Sequence, residues 1–445
     1  MSIIKKTQRK IHHKTKGISR YTKKQSKQDT YTKKQSKKQK TLRIVFVHSP
    51  SLENDATIYK TEFLKQGYKV DFKLIDSVNY FNKGKNEPYY DVNLFLEILP
   101  FKCKTLFPSK TNLFMPNNEL FIDTNEDNKK QSKAYTQHRY VRYDRYEELK
   151  SIDFVLCKTE LCYKFFNFIK IEQKNNTKNK RIYHYQSIYT KFTSSINKDI
   201  LQIVNRDNSN TPDIIDPNLF IHLAGKSGFK NTPDLVHCWI KNKGFLDSDP
   251  DIKLVITCYE HCSKWFISGL KRWYNYDFEK DPDVSMNYKT NCATYKNMTI
   301  YFKPITPFSD YIDIITKANV AICISNKEGY GHYINEARYM KKFIITLDYP
   351  PMNELVKDKD DKNGSGGGNG IVLKKKNKFK KQTYKETKFK FSEAYPDSDE
   401  LRDSIIWCIK HKHELRKYGE NGRKMFLDDK NYFEDRMEKF IGSKL

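Results

Sequence analysis

Short apolar runs rich in β-branched and aromatic residues recur along this chain with helix-compatible stretches between most of them, and this alternation restricts the fold more than any other feature. The first series comprises Leu42–His48, Lys69–Ile75, Val92–Leu99, Asn112–Met115, Asp153–Leu156 and Ile182–Tyr185. A helical stretch from Ala56 to Gln66 separates its first two members and is closed by Gly67 at the C-cap. Strand, helix and strand in that order build a parallel sheet covered on both faces. After a polar stretch at 196–217 comes a second series, Leu219–Ala224, Lys253–Thr257, Thr299–Phe302, Val320–Ile324 and Phe343–Leu347. In the helix after its first strand, Thr232 reads as the N-cap, Pro233 as the first helical residue and Gly244 as the residue past the end. Helical sequence from Asp399 to Ile441 ends the chain.

A chain of 445 residues is too long for one ordinary α/β core, so the two series read as two domains. The expected organisation is a disordered basic tail over 1–41, an amino-terminal domain over 42–205 and a carboxy-terminal domain over 206–445, with the terminal helices packing back on the first domain. Residues 357–390 hold Gly364-Ser-Gly-Gly-Gly-Asn-Gly370 among lysines and read as a flexible insertion. The tail repeats Tyr21-Thr-Lys-Lys-Gln-Ser-Lys27 as Tyr31-Thr-Lys-Lys-Gln-Ser-Lys37, a composition that cannot bury a core. Its 15 basic residues against Asp29 alone supply half of the net charge of +28. A/T-rich coding, which inflates Lys, Asn, Ile, Tyr and Phe together, accounts for such a charge with a solubilising tail. The same tail also suits nucleic acid or an anionic surface as a partner.

No run approaches 18 apolar residues and the first ten residues lack the apolar core of a signal peptide, so no transmembrane segment is expected. Nine cysteines, odd in number and mostly set in apolar runs, read as free buried thiols of a reducing compartment, the cytoplasm. Cys258-Tyr-Glu-His261-Cys262 has no second ligand pair at zinc spacing, and no metal is expected there.

In α/β sheets ligands sit beyond the carboxyl ends of the strands, at the first turns of the helices. At such a junction, after Val320–Ile324, comes Ser325-Asn-Lys-Glu328-Gly-Tyr-Gly-His-Tyr-Ile-Asn-Glu336. Gly329 and Gly331 let main-chain N–H groups approach a diphosphate, and the helix that follows aims its positive end at it. Glu328 would lie in the loop beside a hexose, and Glu336 in the helix near a ribose. The Asp-x-Asp pairs Asp247/Asp249, Asp249/Asp251, Asp281/Asp283 and Asp397/Asp399 lie in polar sequence and read as solvated turns. No Gly-x-Gly-x-x-Gly follows a strand, which argues against a dehydrogenase.

The segment from Glu328 to Glu336, continuing to Ile345-Thr-Leu-Asp-Tyr-Pro-Pro-Met-Asn-Glu354, resembles the Glu-x7-Glu signature of retaining glycosyltransferases of family 4. Ile221-His-Leu-Ala-Gly225-Lys226-Ser227-Gly-Phe-Lys230, with Trp239, is similar to a second stretch of one branch of that group. The resemblance covers 219–356. It implies the GT-B fold, an α/β architecture of two Rossmann-like domains whose parallel sheets face a cleft. It further implies transfer of a sugar with retention from a nucleotide-sugar such as a UDP- or GDP-hexose, with no metal and no other cofactor. Lys230 and Glu328 would be catalytic, with Lys230 meeting the charge that grows on the leaving phosphate. Gly225, Lys226, Ser227, Gly329, Tyr330, Gly331, His332, Asn335 and Glu336 would hold the donor.

Three places depart from the group's pattern. The turn His48-Ser-Pro-Ser-Leu-Glu lacks paired glycines, Asn231 rather than Gly follows Lys230, and Lys341-Lys342 replace a usual Gly. The acceptor, a glycan, protein or lipid, is expected at His48 and at Asn118 and Glu119 of Met115-Pro-Asn-Asn-Glu119. The alternatives are a non-catalytic relative that binds sugar or nucleotide, and a nucleic-acid-binding protein acting through its tail.

Overall fold

The computed structural model describes residues 39–75, 87–100, 103–117, 149–175, 183–206, 215–259, 261–361, 367–376 and 394–445. The basic tail, apart from its last three positions, lies outside them. The first sheet has the order β2-β1-β3-β4-β5-β6 and is parallel throughout. Its strands are β1 (Thr41–Phe46), β2 (Lys69–Leu74), β3 (Tyr90–Leu96), β4 (Ser109–Met115), β5 (Phe154–Cys157) and β6 (Gln186–Tyr189). Helix α1 (Pro50–Lys65) follows β1, α2 (Cys103–Leu106) precedes β4, and α3 (Glu160–Asn175) joins β5 to β6.

Two boundaries differ from the sequence reading. Helix α1 begins six residues before Ala56, because Pro50 occupies the first helical turn, where its missing N–H is not needed. Of the expected strand Ile182–Tyr185, Ile182 lies outside the described residues and 183–185 are not in the sheet; the ladder with β5 runs over Gln186–Tyr189. Tyr183 and Tyr185 are buried ahead of it, and Tyr185 Oη donates to the Phe166 carbonyl of α3 at 2.9 Å. Their alternation records packing against a helix rather than a place in the ladder.

Helix α4 (Lys198–Arg206) buries Ile200 and Val204 and occupies part of the polar stretch 196–217. The second sheet has the order β14-β13-β12-β7-β8-β11-β10-β9. It contains β7 (Asp216–Gly225), β8 (Lys253–Cys258), β9 (Val284–Asn287), β10 (Cys292–Tyr295), β11 (Met298–Tyr301), β12 (Ala318–Cys323), β13 (Phe343–Leu347) and β14 (Gly370–Leu373). Its helices are α5 (Thr232–Lys241), α6 (His261–Tyr274), α7 (Phe308–Lys317), α8 (His332–Tyr339) and the short α9 (Met352–Leu355). Strands β9 to β11 pair antiparallel at one edge, so this sheet is not parallel throughout.

The glycine-rich stretch read as a flexible insertion contains β14, paired parallel with β13. A Cβ on Gly370 would stand 2.0 Å from the Ile344 carbonyl oxygen, so this glycine serves close approach of two backbones. The short β15 (Lys375–Lys376) and β16 (Tyr395–Pro396) form a separate pair before the terminal helices.

Helix α10 (Ser398–Lys410) is capped by Asp397, whose carboxylate accepts from the Asp399 and Glu400 amides at 2.8 and 3.0 Å. Helix α11 (Leu415–Lys444) runs against both sheets' layers, setting Phe440 5.1 Å from Phe154 and Phe433 6.0 Å from Tyr59 between ring centroids. Asp249 is not a solvated turn residue, since it is buried and bonded to Lys412 Nζ at 2.5 Å. The eight described cysteines are free and buried. Among the described residues no helix is long and apolar enough to cross a membrane.

Lys341 stands where the resembled group has a usual Gly, and it follows the end of α8 with φ +58°, the left-handed conformation that suits glycine. An L side chain there is strained by about 1 kcal/mol or more. Lys341→Gly is therefore expected to raise stability by roughly 0.5 to 1 kcal/mol, less the entropy that glycine adds to the unfolded chain. A denaturant midpoint that falls on this change would remove the strain argument.

Candidate functional site

The strand order of the second sheet reverses between β7 and β12, and the loops leaving these two neighbours open the crevice where such sheets bind ligands. Lys230 follows β7 and Glu328 follows β12. Although 98 residues apart, they meet there, with Lys230 Nζ donating to Glu328 Oε1. Both are buried. Ser325 Oγ donates to the same carboxylate oxygen at 2.6 Å and lies 2.6 Å from Tyr333 Oη. Lys230 Nζ stands 3.6 Å from the centroid of the Tyr333 ring.

The two loops are tied together below this cluster. The Asn326 amide donates to the Phe229 carbonyl at 2.7 Å, and Asn231 Nδ2 donates to the Ile324 carbonyl at 2.8 Å. Asn231, not Thr232, is the N-cap of α5, and it takes the left-handed conformation at φ +52°. That is the second departure explained: asparagine tolerates this conformation, and its side chain adds bonds that glycine cannot make. The Thr232 hydroxyl serves His222 instead. His222 is buried, its Nδ1 2.8 Å from the Ile322 carbonyl and its Nε2 3.1 Å from Thr232 Oγ1. Burial pushes its pKa down to about 4, so the ring is neutral, donating through Nδ1 and accepting at Nε2.

Glu336 lies one turn into α8, half-buried, and its carboxylate makes no hydrogen bond among the described residues. Burial raises its pKa, opposed by the charges of His332 and Lys230. Gly331 is the N-cap of α8 with φ +99°. Gly225, with φ +57°, Lys226 and Ser227 form the turn at the end of β7, where Lys226 is exposed and Ser227 Oγ accepts from the Phe229 amide at 3.3 Å.

Three residues expected at the donor engage the first half of the chain. Tyr330 Oη donates to the Phe192 carbonyl. His332 Nε2 donates to Asp55 Oδ1 of α1 at 2.8 Å, and its Nδ1 lies 2.8 Å from Ser194 Oγ. Asn335 Nδ2 donates to Ser194 Oγ at 3.1 Å while its carbonyl accepts from Arg338, which pairs with Asp429 of α11 at 2.7 Å. Asp55 is also bound by Lys158 Nζ at 3.0 Å, and both are buried. Glu354 of α9 likewise reaches across, accepting from the Glu160 and Leu161 amides at 2.8 and 3.2 Å at the start of α3.

Of the acceptor candidates, His48 is exposed at the end of β1, 2.6 Å from Glu53. Asn118 and Glu119 lie outside the described residues. Their neighbour Asn117 packs on the signature loop, so that a Cβ on Gly329 would stand 1.9 Å from its Oδ1. Sequence reasoning missed Ser325 and Tyr333, which flank Glu328 closely enough to have been found in the motif. It also missed Asp55 and Lys158, for which no local signal exists. Among the described residues no group of three or more His, Cys, Asp or Glu could hold a metal ion.

No protein-family model matches the sequence, and no curated protein matches it by sequence. Solved structures do resemble it. Sucrose-phosphate synthase from Thermosynechococcus elongatus aligns with a TM-score of 0.54 at 12% identity, covering 91% of this chain and 98% of that one. Trehalose-6-phosphate synthase gives 0.53 at 8% identity over 90% and 98%. WaaG, a glycosyltransferase involved in lipopolysaccharide biosynthesis, gives 0.50 at 11% identity over 90% and 100%. At these identities the likeness speaks for the fold, and that fold is GT-B, an α/β architecture with a parallel six-stranded sheet and a second sheet.

Proposed function

We propose that the protein is a nucleotide-sugar-dependent glycosyltransferase of the family 4 kind, passing a hexose-like sugar from a UDP-, GDP- or related donor to a glycan, protein or lipid acceptor with retention and without a metal. The observation that carries this reading is the meeting of Lys230 with Glu328 at the strand-order reversal, near the carboxylate of Glu336, which makes no hydrogen bond among the described residues. Breaking the bond from sugar to phosphate leaves negative charge on the diphosphate. Lys230 offers a positive charge for it, and the amide end of α8 adds partial charge of the same sign. Glu328 is assigned to a sugar hydroxyl once the donor draws Lys230 away from it, and Glu336 to the ribose hydroxyls.

The test is release of nucleoside diphosphate across a panel of sugar nucleotides, with and without EDTA. Release that EDTA does not abolish supports the reading. A protein that binds a sugar nucleotide yet releases nothing with any acceptor is the non-catalytic relative. The ribose is unchanged through the reaction, so Glu336→Ala is expected to raise donor KM roughly tenfold or more with a smaller effect on kcat. Since this carboxylate has no hydrogen bond to lose among the described residues and its charge is penalised by burial, the change leaves stability at pH 7 intact. A fall in kcat with KM unchanged would take Glu336 off the ribose.

A further inference from the structure

We propose that Tyr333 is a positioning residue for Lys230: its ring face steadies the ammonium, and its hydroxyl, through Ser325, steadies Glu328, so that the lysine can turn from the carboxylate to the leaving diphosphate. The inference rests on the glycosyltransferase reading above. A buried lysine needs a partner, and a carboxylate partner neutralises the charge that the chemistry requires. An aromatic face attracts the cation without carrying a charge of its own. Nζ stands 3.6 Å from the Tyr333 ring centroid while it donates to Glu328, so the ring contacts Lys230 in addition to the carboxylate.

The hydroxyls complete the arrangement. Ser325 has one proton and donates it to Glu328 at 2.6 Å, so Tyr333 Oη, 2.6 Å away, donates to Ser325. The chain Tyr333 to Ser325 to Glu328 therefore runs in one direction, and each bond polarises the next. When Lys230 leaves for the diphosphate, Glu328 keeps a hydrogen bond in a site where an unbonded carboxylate is costly. Tyr333 is the second residue of α8, so the ring that holds the ammonium and the helix end that faces the phosphate move as one body.

Two variants separate ring from hydroxyl. Tyr333→Phe keeps the face and loses one hydrogen bond, and kcat for nucleoside diphosphate release is expected to fall about threefold. Tyr333→Leu loses both, and kcat is expected at least tenfold below Tyr333→Phe, with donor KM moving less than kcat. Equal kcat in the two variants overturns the role of the ring, and Tyr333→Leu within twofold of wild type overturns the proposal. A second readout does not depend on turnover. After reductive 13C-methylation, the Lys230 signal, assigned by its absence in Lys230→Arg, is expected to be shifted by the ring current in wild type and Tyr333→Phe and to lose that shift in Tyr333→Leu. An unshifted signal in folded wild type overturns the contact, and this holds even where Tyr333→Leu does not fold. Wild type that releases no diphosphate from any donor sinks the functional reading instead, while the methyl signal still decides the contact.

Discussion

Lys230→Ala is expected to lower kcat by about a hundredfold or more, the scale of roughly 3 to 4 kcal/mol set by removing one group that stabilises transition-state charge. The loss falls on kcat because the charge that Lys230 meets grows as the bond to the sugar breaks, whereas the ground-state diphosphate has other partners. Lys230 and Glu328 share one hydrogen bond, so their substitutions should not add. Glu328→Gln alone keeps the side-chain size and the acceptor for Ser325 Oγ, and it is expected to lower turnover with little loss of fold. Combining it with Lys230→Ala should add far less than the product of the two losses. Single-turnover release of nucleoside diphosphate measures both effects. If the wild type turns over donor and Lys230→Ala matches it within twofold, the pair at the strand-order reversal is not the site.

Asp55→Ala is expected to remove about 3 to 5 kcal/mol of stability, because it strands the Lys158 ammonium in a place where both partners are buried. It also takes the carboxylate from His332, loosening the contact between α1 and α8. Adding Lys158→Met to it should recover part of the loss, since a neutral side chain of similar length needs no counter-charge. The pH dependence follows from the direction of the Asp55 shift. Burial alone would raise its pKa, but the Lys158 charge and the His332 bond outweigh burial and hold it below the ordinary value. An aspartate depressed in the folded state contributes fully above the unfolded pKa of about 3.9 and loses that contribution as pH falls through the lower folded value. Denaturant midpoints should therefore owe no slope to Asp55 between pH 5 and 8, and Asp55→Ala should show a shallower loss on acidification below about pH 4. A midpoint for Asp55→Ala equal to that of wild type at pH 7 would show that the charge network contributes nothing to holding α1 against α8.

Most of the strand positions and both α/β series could be read from the chain, because apolar periodicity reports burial and burial is what places a strand in a covered sheet. The junction that holds Glu328 and Gly331 in the turn after β12, and Glu336 one turn into α8, was likewise legible as a strand followed by a helix. The exceptions have a common cause. Tyr183 and Tyr185 are buried without lying in the ladder, Gly370 sits in a strand because a neighbouring carbonyl leaves room for no side chain, and β9 and β10 are four residues each. Periodicity carries no mark of these. Local sequence also located Asn231 and Lys341 as departures, but only their positive φ angles explain why glycine is usual there.

What the tertiary structure alone decided is which charges meet. The strand order sets β7 beside β12 and so brings Lys230 to Glu328, while α1 meets the end of β5, which brings Asp55 to Lys158, and the first residue of α8, which brings it to His332. Electrostatic attraction falls with distance in space and is blind to separation along the chain. A linear sequence can therefore propose charged partners, and only the fold can pair them.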